Sequence, residues 1–136
     1  MTQIEAAREG RATPEMEAVA RAEKLSVETV RERVAGGQLT LCRNARRKTL
    51  GLPQPICGIG KGLRTKVNAN IGTSADYHEA EAELRKLSVA VEAGADAVMD
   101  LSTGGDLRAI RQQVLERSPV VVGTVPIYDA AVRAAH

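Results

Sequence analysis

Two glycine-rich stretches could supply backbone N–H groups to a bound anion. The first, Gly58 to Gly62, contains a lysine and is followed by Arg64 and Lys66, and the second is the pair Gly104-Gly105. Backbone amides in such loops can donate hydrogen bonds to phosphate oxygens. The pattern therefore permits a non-catalytic nucleotide-binding module as one hypothesis, although the glycine spacing matches no P-loop.

Cysteine and histidine are too sparse for a metal centre built from this chain alone. Cys42 and Cys57 are fifteen positions apart without CxxC spacing, and the two histidines are His78 and His136. A metal site needs several such ligands close together. We therefore assign no metal ligand and no catalytic residue to the chain, and we expect both cysteines to be reduced rather than bridged.

The second half of the chain alternates strands with helices. The pattern predicts strands at 66–71, 95–100 and 120–123, a helix over about 76–93, a helix capped by Asp106, and another that begins at Asp129. This order favours parallel strands with right-handed crossovers. The loops 70–74, 100–105 and 123–128 would then gather at one face, where (β/α) barrels build their active sites.

The first half predicts a small helical region. Thr13 caps a helix that begins at Pro14, and Ser26 caps a second helix that ends at Gly36. A short strand at 39–42 and an irregular basic linker follow, and the polar residues 1–10 are expected to fray. We place the boundary between this region and the strand–helix repeat near Gly58.

The helix pair from Met16 to Val34 also has the spacing of a helix-turn-helix motif. Its second helix would present Arg31 and Arg33 to a major groove. Glu28 and Glu32 on the same helix would repel phosphates, so a helix pair packed on a sheet is favoured over DNA binding. An aromatic content of 1% also leaves little on which bases could stack.

Length and composition exclude few partners. A chain of 136 residues with a net charge of +2 corresponds to one domain, or to a small domain plus part of another. It has no apolar run that could span a bilayer, and its polar start is unlike a signal peptide. We therefore expect a cytoplasmic protein without membrane partners.

Three segments resemble, in the right order, the phosphomethylpyrimidine synthases, the ThiC family of thiamine biosynthesis. They are KVNANIG at 66–72, DAVMDLSTG at 96–104 and VGTVPIY at 122–128, and TPEM at 13–16 resembles the start of the family's helical region. The resemblance implies an α/β fold. It also implies that residues 1–57 are an N-terminal helical region with a strand and a linker, and that 58–136 are the first βα units of a (β/α) barrel that is incomplete in this chain.

The resemblance also implies an activity and a substrate site. The family's members are radical S-adenosylmethionine lyases that convert aminoimidazole ribonucleotide into hydroxymethylpyrimidine phosphate. Their substrate contacts fall here on Asn70, Met99 and Tyr128, which stand 29 residues apart at each step. Asn70 offers a donor and an acceptor, Met99 a polarizable wall, and Tyr128 a flat ring with a hydroxyl. We also expect a homo-oligomer, namely a dimer.

The sequence departs from the family in its cofactor ligands. The resemblance implies a 4Fe-4S cluster, S-adenosyl-L-methionine and zinc, but the three-cysteine motif CxxCxxxxC and the zinc-binding histidines are absent from this chain. We therefore expect the chain alone to be inactive. The related 5-hydroxybenzimidazole synthase, which uses the same substrate, is an alternative member that the residues leave open.

Overall fold

The chain folds as a mixed α/β protein, which confirms the predicted class. A computed structural model describes residues 1–134, so His136 lies outside the described residues. Within that range the elements are α1 (Gln3–Arg8), α2 (Pro14–Glu23), α3 (Val27–Ala35), β1 (Leu39–Cys42), α4 (Arg46–Thr49), β2 (Cys57–Gly60), β3 (Asn68–Ile71), α5 (Ala80–Glu92), β4 (Ala97–Asp100), α6 (Leu107–Arg117), β5 (Val121–Thr124) and α7 (Pro126–Ala134).

The chain divides into two compact units. Unit 1 contains Met1–Arg43 and Ile56–Thr65, and unit 2 contains Asn44–Pro55 and the chain from Lys66 onward. The division predicted from the sequence, 1–57 and 58–136, assigns residues 44–55 and 58–65 differently. As a statement about domains, it stays a prediction.

Polar caps set the starts of α2 and α3, as predicted. The Thr13 hydroxyl accepts a hydrogen bond from the backbone N–H of Met16 at 3.3 Å, and Pro14 occupies the first turn. The Ser26 hydroxyl accepts one from the backbone N–H of Thr29 at 3.1 Å. Each cap satisfies an N–H group that the first helical turn leaves without an intrahelical partner.

A hydrophobic core joins α1, α2, α3 and β1 in unit 1. Its buried members are Ala7, Met16, Val19, Ala20, Val30, Val34 and Leu39. The fraying predicted for residues 1–10 is therefore wrong. Thr2 and Glu5 form a capping box, since each side chain bonds to the other residue's backbone N–H, at 3.3 and 2.7 Å. The hydrogen bond from the Thr2 backbone lowers the pKa of Glu5.

The antiparallel ribbon of β1 and β2 completes unit 1. Cys42 lies directly opposite Cys57 in this ribbon. Because β2 includes Gly58 to Gly60, part of the stretch predicted as a glycine-rich loop is a strand. Glycine is required for the close approach to α2, since a Cβ at Gly58 would lie 2.5 Å from Cγ1 of Val19.

The two arginines of α3 that DNA binding would use make contacts within unit 1. The Arg31 guanidinium donates to the carbonyl of Ala7 at 2.7 Å and pairs with Glu28, which leaves 16% of the side chain exposed. Arg33 donates to the carbonyl of Gly62 at 3.4 Å. Both guanidinium groups that the helix-turn-helix alternative would present to a major groove are therefore engaged within unit 1.

A three-stranded parallel sheet, in the order β3-β4-β5, forms the centre of unit 2. Helices α5 and α6 cover one face, and the core between them and the sheet contains Ile71, Leu84, Leu87, Val98 and Val114. The predicted parallel pairing is confirmed. Three strands do not close a barrel, so the barrel and the handedness of its crossovers remain predictions.

Two helix boundaries in unit 2 differ from the prediction. The helix expected from residue 76 begins at Ala80, because Ser74 and Tyr77 form a local turn with bonds of 2.8 and 3.1 Å. The last helix begins at Pro126 rather than Asp129, since proline is favoured in a first turn. Tyr128 therefore lies in α7 and not in a loop.

The Thr13 cap leads to a stability prediction. We expect Thr13→Ala to lower the free energy of unfolding by about 1 kcal/mol, because the N–H of Met16 loses its acceptor. The same hydroxyl also donates to Oε1 of Gln3 at 2.6 Å. Thr13→Ser keeps both bonds and should remain within about 0.5 kcal/mol of the parent in urea unfolding. Equal losses for the two variants would refute the capping role.

Candidate functional site

The candidate site lies at the carboxyl ends of the parallel strands in unit 2. There β3 continues into Gly72-Thr73-Ser74 and β4 into Leu101 to Gly105, before α5 and α6 begin. Backbone hydrogen bonds extend the β3–β4 pairing into these loops, from Leu101 N–H to the Ile71 carbonyl and from Thr103 N–H to the Thr73 carbonyl, each at 2.8 Å. The two loops therefore form one layer above the sheet.

Asn70 and Met99 are direct neighbours across the sheet. Asn70 of β3 lies opposite Met99 of β4, and Met99 lies opposite Gly123 of β5. Ile71 and Val98 belong to the core beneath α5 and α6. Since side chains alternate along a strand, Asn70 and Met99 belong to the face that these helices leave uncovered. The structure thus brings two of the three predicted substrate residues together on one face.

Gly123 makes room for the side chain of Met99. A Cβ at Gly123 would lie 2.8 Å from both Sδ and Cε of Met99. The thioether therefore extends over the backbone of β5, where it can form an apolar wall beside Asn70. The Asn70 side chain is exposed, and its Oδ1 accepts a long hydrogen bond of 3.4 Å from Asn68.

A cleft borders Asn70 at the edge of β3. Its walls also include residues of α5, among them the cations Arg85 and Lys86. The Lys86 ammonium is bonded to Glu83 at 2.7 Å, so its charge is partly compensated. The cleft lies on the α5 side of the sheet, whereas the Asn70 side chain belongs to the opposite, uncovered face, so the cleft is distinct from that face.

Tyr128 is placed by α7. It is 42% exposed, and its backbone N–H bonds to the Val125 carbonyl at 3.0 Å. Its position in the first turn of a helix, two residues after Pro126, differs from the loop expected from the sequence. Its substrate contact stays a prediction.

A buried polar network, which the sequence analysis did not single out, fixes the two loops. Oδ1 of Asp100 accepts bonds from the N–H and the hydroxyl of Ser102, at 3.0 and 2.5 Å. The Ser102 hydroxyl in turn accepts from the Thr73 N–H at 3.1 Å, and the Thr73 hydroxyl donates to the Gly104 carbonyl at 2.7 Å. Asp100, Ser102 and Thr73 are each at most 3% exposed. Such a network holds the loops in one arrangement.

The second oxygen of Asp100 faces a cation. Nε of Arg111 lies 3.5 Å from Oδ2 of Asp100, and both atoms are buried without a hydrogen-bond partner. Arg111 also contacts Asp129 at 3.5 Å, and Asp129 bonds to Arg133 at 2.8 Å. The pKa of the Asp129 carboxyl is lowered, chiefly by the hydrogen bond from Arg133.

Glu83 of α5 binds the loop that begins at Gly72. It is 1% exposed, and its carboxylate accepts bonds from the backbone N–H of Gly72 at 2.6 Å and from Lys86 at 2.7 Å. In the sequence, Glu83 stands four residues before Leu87 and therefore shares the apolar face of α5. A carboxylate on an apolar helix face is the signal that could have predicted its buried role. The corresponding signal for Asp100 was an acidic residue at the end of a buried strand.

The described residues offer no metal centre. No group of three or more His, Cys, Asp or Glu side chains within residues 1–134 is placed to hold a metal ion. In the same range, no helix is both long enough and apolar enough to cross a bilayer.

The fold and the site define a βα protein whose candidate ligand face lies at the carboxyl ends of parallel strands. A sequence model described as "Radical SAM ThiC family" matches residues 2–136, and the chain belongs to this family. The resemblance predicted from three segments is thereby confirmed.

Curated relatives support the assignment. Phosphomethylpyrimidine synthase of Moorella thermoacetica is 58% identical over 134 residues, which is 98% of this chain and 30% of the relative. The enzymes of the same name from a strain of Thermus thermophilus and from a Thermoanaerobacter species are 56% and 55% identical, over 99% and 97% of this chain. The chain spans about 30% of the length of the relatives it matches.

Proposed function

We propose that the chain is the N-terminal portion of a phosphomethylpyrimidine synthase. The whole enzyme would convert aminoimidazole ribonucleotide into hydroxymethylpyrimidine phosphate for thiamine biosynthesis, as a radical S-adenosylmethionine lyase. The observation that carries the proposal is the 58% identity to a synthase of that name over 98% of the chain. No observation favours 5-hydroxybenzimidazole synthase, a separate nucleotide-binding module or a DNA-binding protein over this function.

The sheet of unit 2 would be the first part of a (β/α) barrel. Its three parallel strands follow chain order, and α5 and α6 lie on a single face, as a barrel requires. The uncovered face, with Asn70 and Met99, would then point to the barrel interior. A barrel places its active site at the carboxyl ends of its strands, which is where the buried loop network lies.

Asn70, Met99 and Tyr128 would bind and orient the substrate. The exposed amide of Asn70 can both donate to and accept from a ribose hydroxyl or a ring nitrogen. Met99 would supply an apolar wall, since its thioether already lies over Gly123. Tyr128 would add a flat surface with a hydroxyl at its edge. We assign these three residues to substrate binding and not to proton transfer.

The cofactors implied by the family are not accommodated by this chain's own residues. Within the described range, the side chains offer no ligand set for an iron–sulfur cluster or for zinc. The cluster would supply the electron that cleaves S-adenosylmethionine, with ligands from other parts of the enzyme. The expected dimer and the cytoplasmic location likewise remain proposals.

The site proposal is tested in a chimaera in which this chain replaces the matching 30% of the Moorella enzyme. We expect Asn70→Ala to lower kcat/KM for aminoimidazole ribonucleotide by roughly 2- to 150-fold, because one or two hydrogen bonds are lost, each contributing roughly 0.5–1.5 kcal/mol. Product formation under anaerobic, reducing conditions is the measurement.

Asn68 provides a matched control for Asn70. It is an exposed asparagine on the same strand and face, at the first residue of β3 and away from the loop network. It bonds to the Asn70 side chain only at 3.4 Å, which is a weak contact that a bound substrate would replace. Asn68→Ala should retain most of the parent kcat/KM. Full activity of the Asn70→Ala chimaera, or an equal loss in both variants, would contradict the assignment.

A further inference from the structure

Cys42 and Cys57 face each other across the ribbon of unit 1. They are register partners in the antiparallel pair, where Cys42 is the last residue of β1 and Cys57 is the first residue of β2. Side chains of directly opposite residues project from the same face of such a ribbon. The two thiols are therefore neighbours, although their spacing in the sequence suggests no relation.

The ribbon geometry brings the two backbones within disulfide range. The Lys61 N–H bonds to the Gln38 carbonyl at 3.0 Å, one step beyond the pairing of Leu39 with Gly60. Hydrogen-bonded pairs alternate along an antiparallel ladder, so the cysteine pair is of the same type, with Cα atoms about 5.5 Å apart. Disulfides span Cα separations of roughly 4.4–6.8 Å.

Both thiols lie on the outer face of the ribbon. Leu39 contributes to the buried core, whereas Thr40 is exposed and Ile59, opposite it, is 40% exposed. By alternation, Cys42 and Cys57 share the face of Thr40 and Ile59. Neither cysteine is in a disulfide, both are partly exposed, and the Cys57 sulfur makes a weak 3.9 Å contact with the Gly58 carbonyl. A small oxidant can therefore reach them without unfolding of the core.

We propose that Cys42 and Cys57 are a redox pair that forms a reversible disulfide, which closes residues 43–56 into a loop. The oxidant would be a low-molecular-weight disulfide. One cysteine thiolate attacks it, which forms a mixed disulfide and releases one small thiol. The second cysteine thiolate then displaces the other small thiol. The protein loses two protons and two electrons, and one small disulfide becomes two thiols.

The same geometry accounts for reversibility. Opposite Cβ atoms in a ribbon lie about 4.5–5.5 Å apart, whereas those of a disulfide lie roughly 3.5–4.5 Å apart. The strands must therefore approach by about 1 Å at the end of the ladder. Exposed disulfides formed against such resistance are readily reduced. The closed loop would fix both ends of the segment that carries α4 (Arg46–Thr49).

The test uses glutathione buffers of defined ratio on the 136-residue chain, followed by maleimide trapping and intact mass measurement. We expect an oxidised monomer that is lighter by two hydrogens, carries neither maleimide nor glutathione, and reverts with dithiothreitol. After trypsin cleavage within residues 43–56, the peptides that contain Cys42 and Cys57 should stay joined until reduction. Stable mixed disulfides on both cysteines, or disulfide-linked dimers, would overturn the proposal.

A displaced thiol is the matched control. Cys57→Ser combined with Ile59→Cys moves the second thiol two residues along the same face, to a diagonal separation of about 7–8 Å from Cys42. This variant should form the intramolecular disulfide with an effective concentration at least tenfold lower than the parent. The parent in 6 M urea should show the same loss. Equal oxidation of the parent, the displaced-thiol variant and the parent in urea would contradict the proposal, because the folded ribbon would then not favour the disulfide.

Discussion

Replacing Asp100 by alanine is expected to lower the free energy of unfolding by about 3–5 kcal/mol. The carboxylate is 2% exposed and accepts two hydrogen bonds from Ser102, while its other oxygen faces Nε of Arg111. Alanine would leave the Ser102 donors unsatisfied and would remove one of the two carboxylates that lie 3.5 Å from the Arg111 guanidinium. Urea unfolding of the 136-residue chain, followed by circular dichroism, measures this loss.

Asp106→Ala is the control, because it removes an exposed carboxylate where Asp100→Ala removes a buried one. Asp106 caps α6 by accepting from the Ala109 N–H at 3.0 Å and is exposed, so Asp106→Ala should cost only about 1 kcal/mol. Asp100→Asn keeps an acceptor for Ser102 and should have an intermediate effect. A loss for Asp100→Ala no larger than that for Asp106→Ala would show that the network does not hold the loops.

The second large effect is expected at Gly104. An added Cβ would lie 2.1 Å from the carbonyl oxygen of Ser74 and 2.3 Å from its carbonyl carbon, and backbone cannot rotate away as a side chain can. The Gly104 carbonyl also accepts the buried bond from Thr73. We expect Gly104→Ala to destabilise unit 2 by about 2–3 kcal/mol and to separate the two loops.

Gly36 serves as the control for Gly104. The nearest atom to a Cβ at Gly36 is the carbonyl oxygen of Glu32 at 3.4 Å, and its φ of −81° suits any residue. Gly36→Ala should change the free energy of unfolding by less than about 1 kcal/mol. Equal stability of the two variants would mean that the loops are less closely packed than described.

Local signals in the sequence predicted much of the fold. Thr13 and Ser26 begin helices because their hydroxyls satisfy free N–H groups, and this requires only neighbours three residues away. The strands of unit 2 were recognisable as short apolar runs between turn residues. The missed helix α1 also had a local signal, the Thr-x-x-Glu capping box at residues 2–5.

Other features depend on partners that are distant in the chain. Glycines disfavour strands, and β2 forms because Gly58 fits against Val19 and pairs with β1. Sequence order alone does not show that Cys42 faces Cys57. The neighbouring positions of Asn70 and Met99 follow from the register of the parallel sheet, whereas their contact with the substrate stays a prediction.

The most direct measurement of the central claim is the activity of the chimaera itself, with this chain in place of the matching 30% of the Moorella enzyme. The account predicts conversion of aminoimidazole ribonucleotide to hydroxymethylpyrimidine phosphate under anaerobic, reducing conditions, at a rate within about tenfold of the parent, since a tenfold difference corresponds to only about 1.4 kcal/mol. A folded chimaera that retains its iron–sulfur cluster but neither binds the ribonucleotide nor forms the product would contradict it.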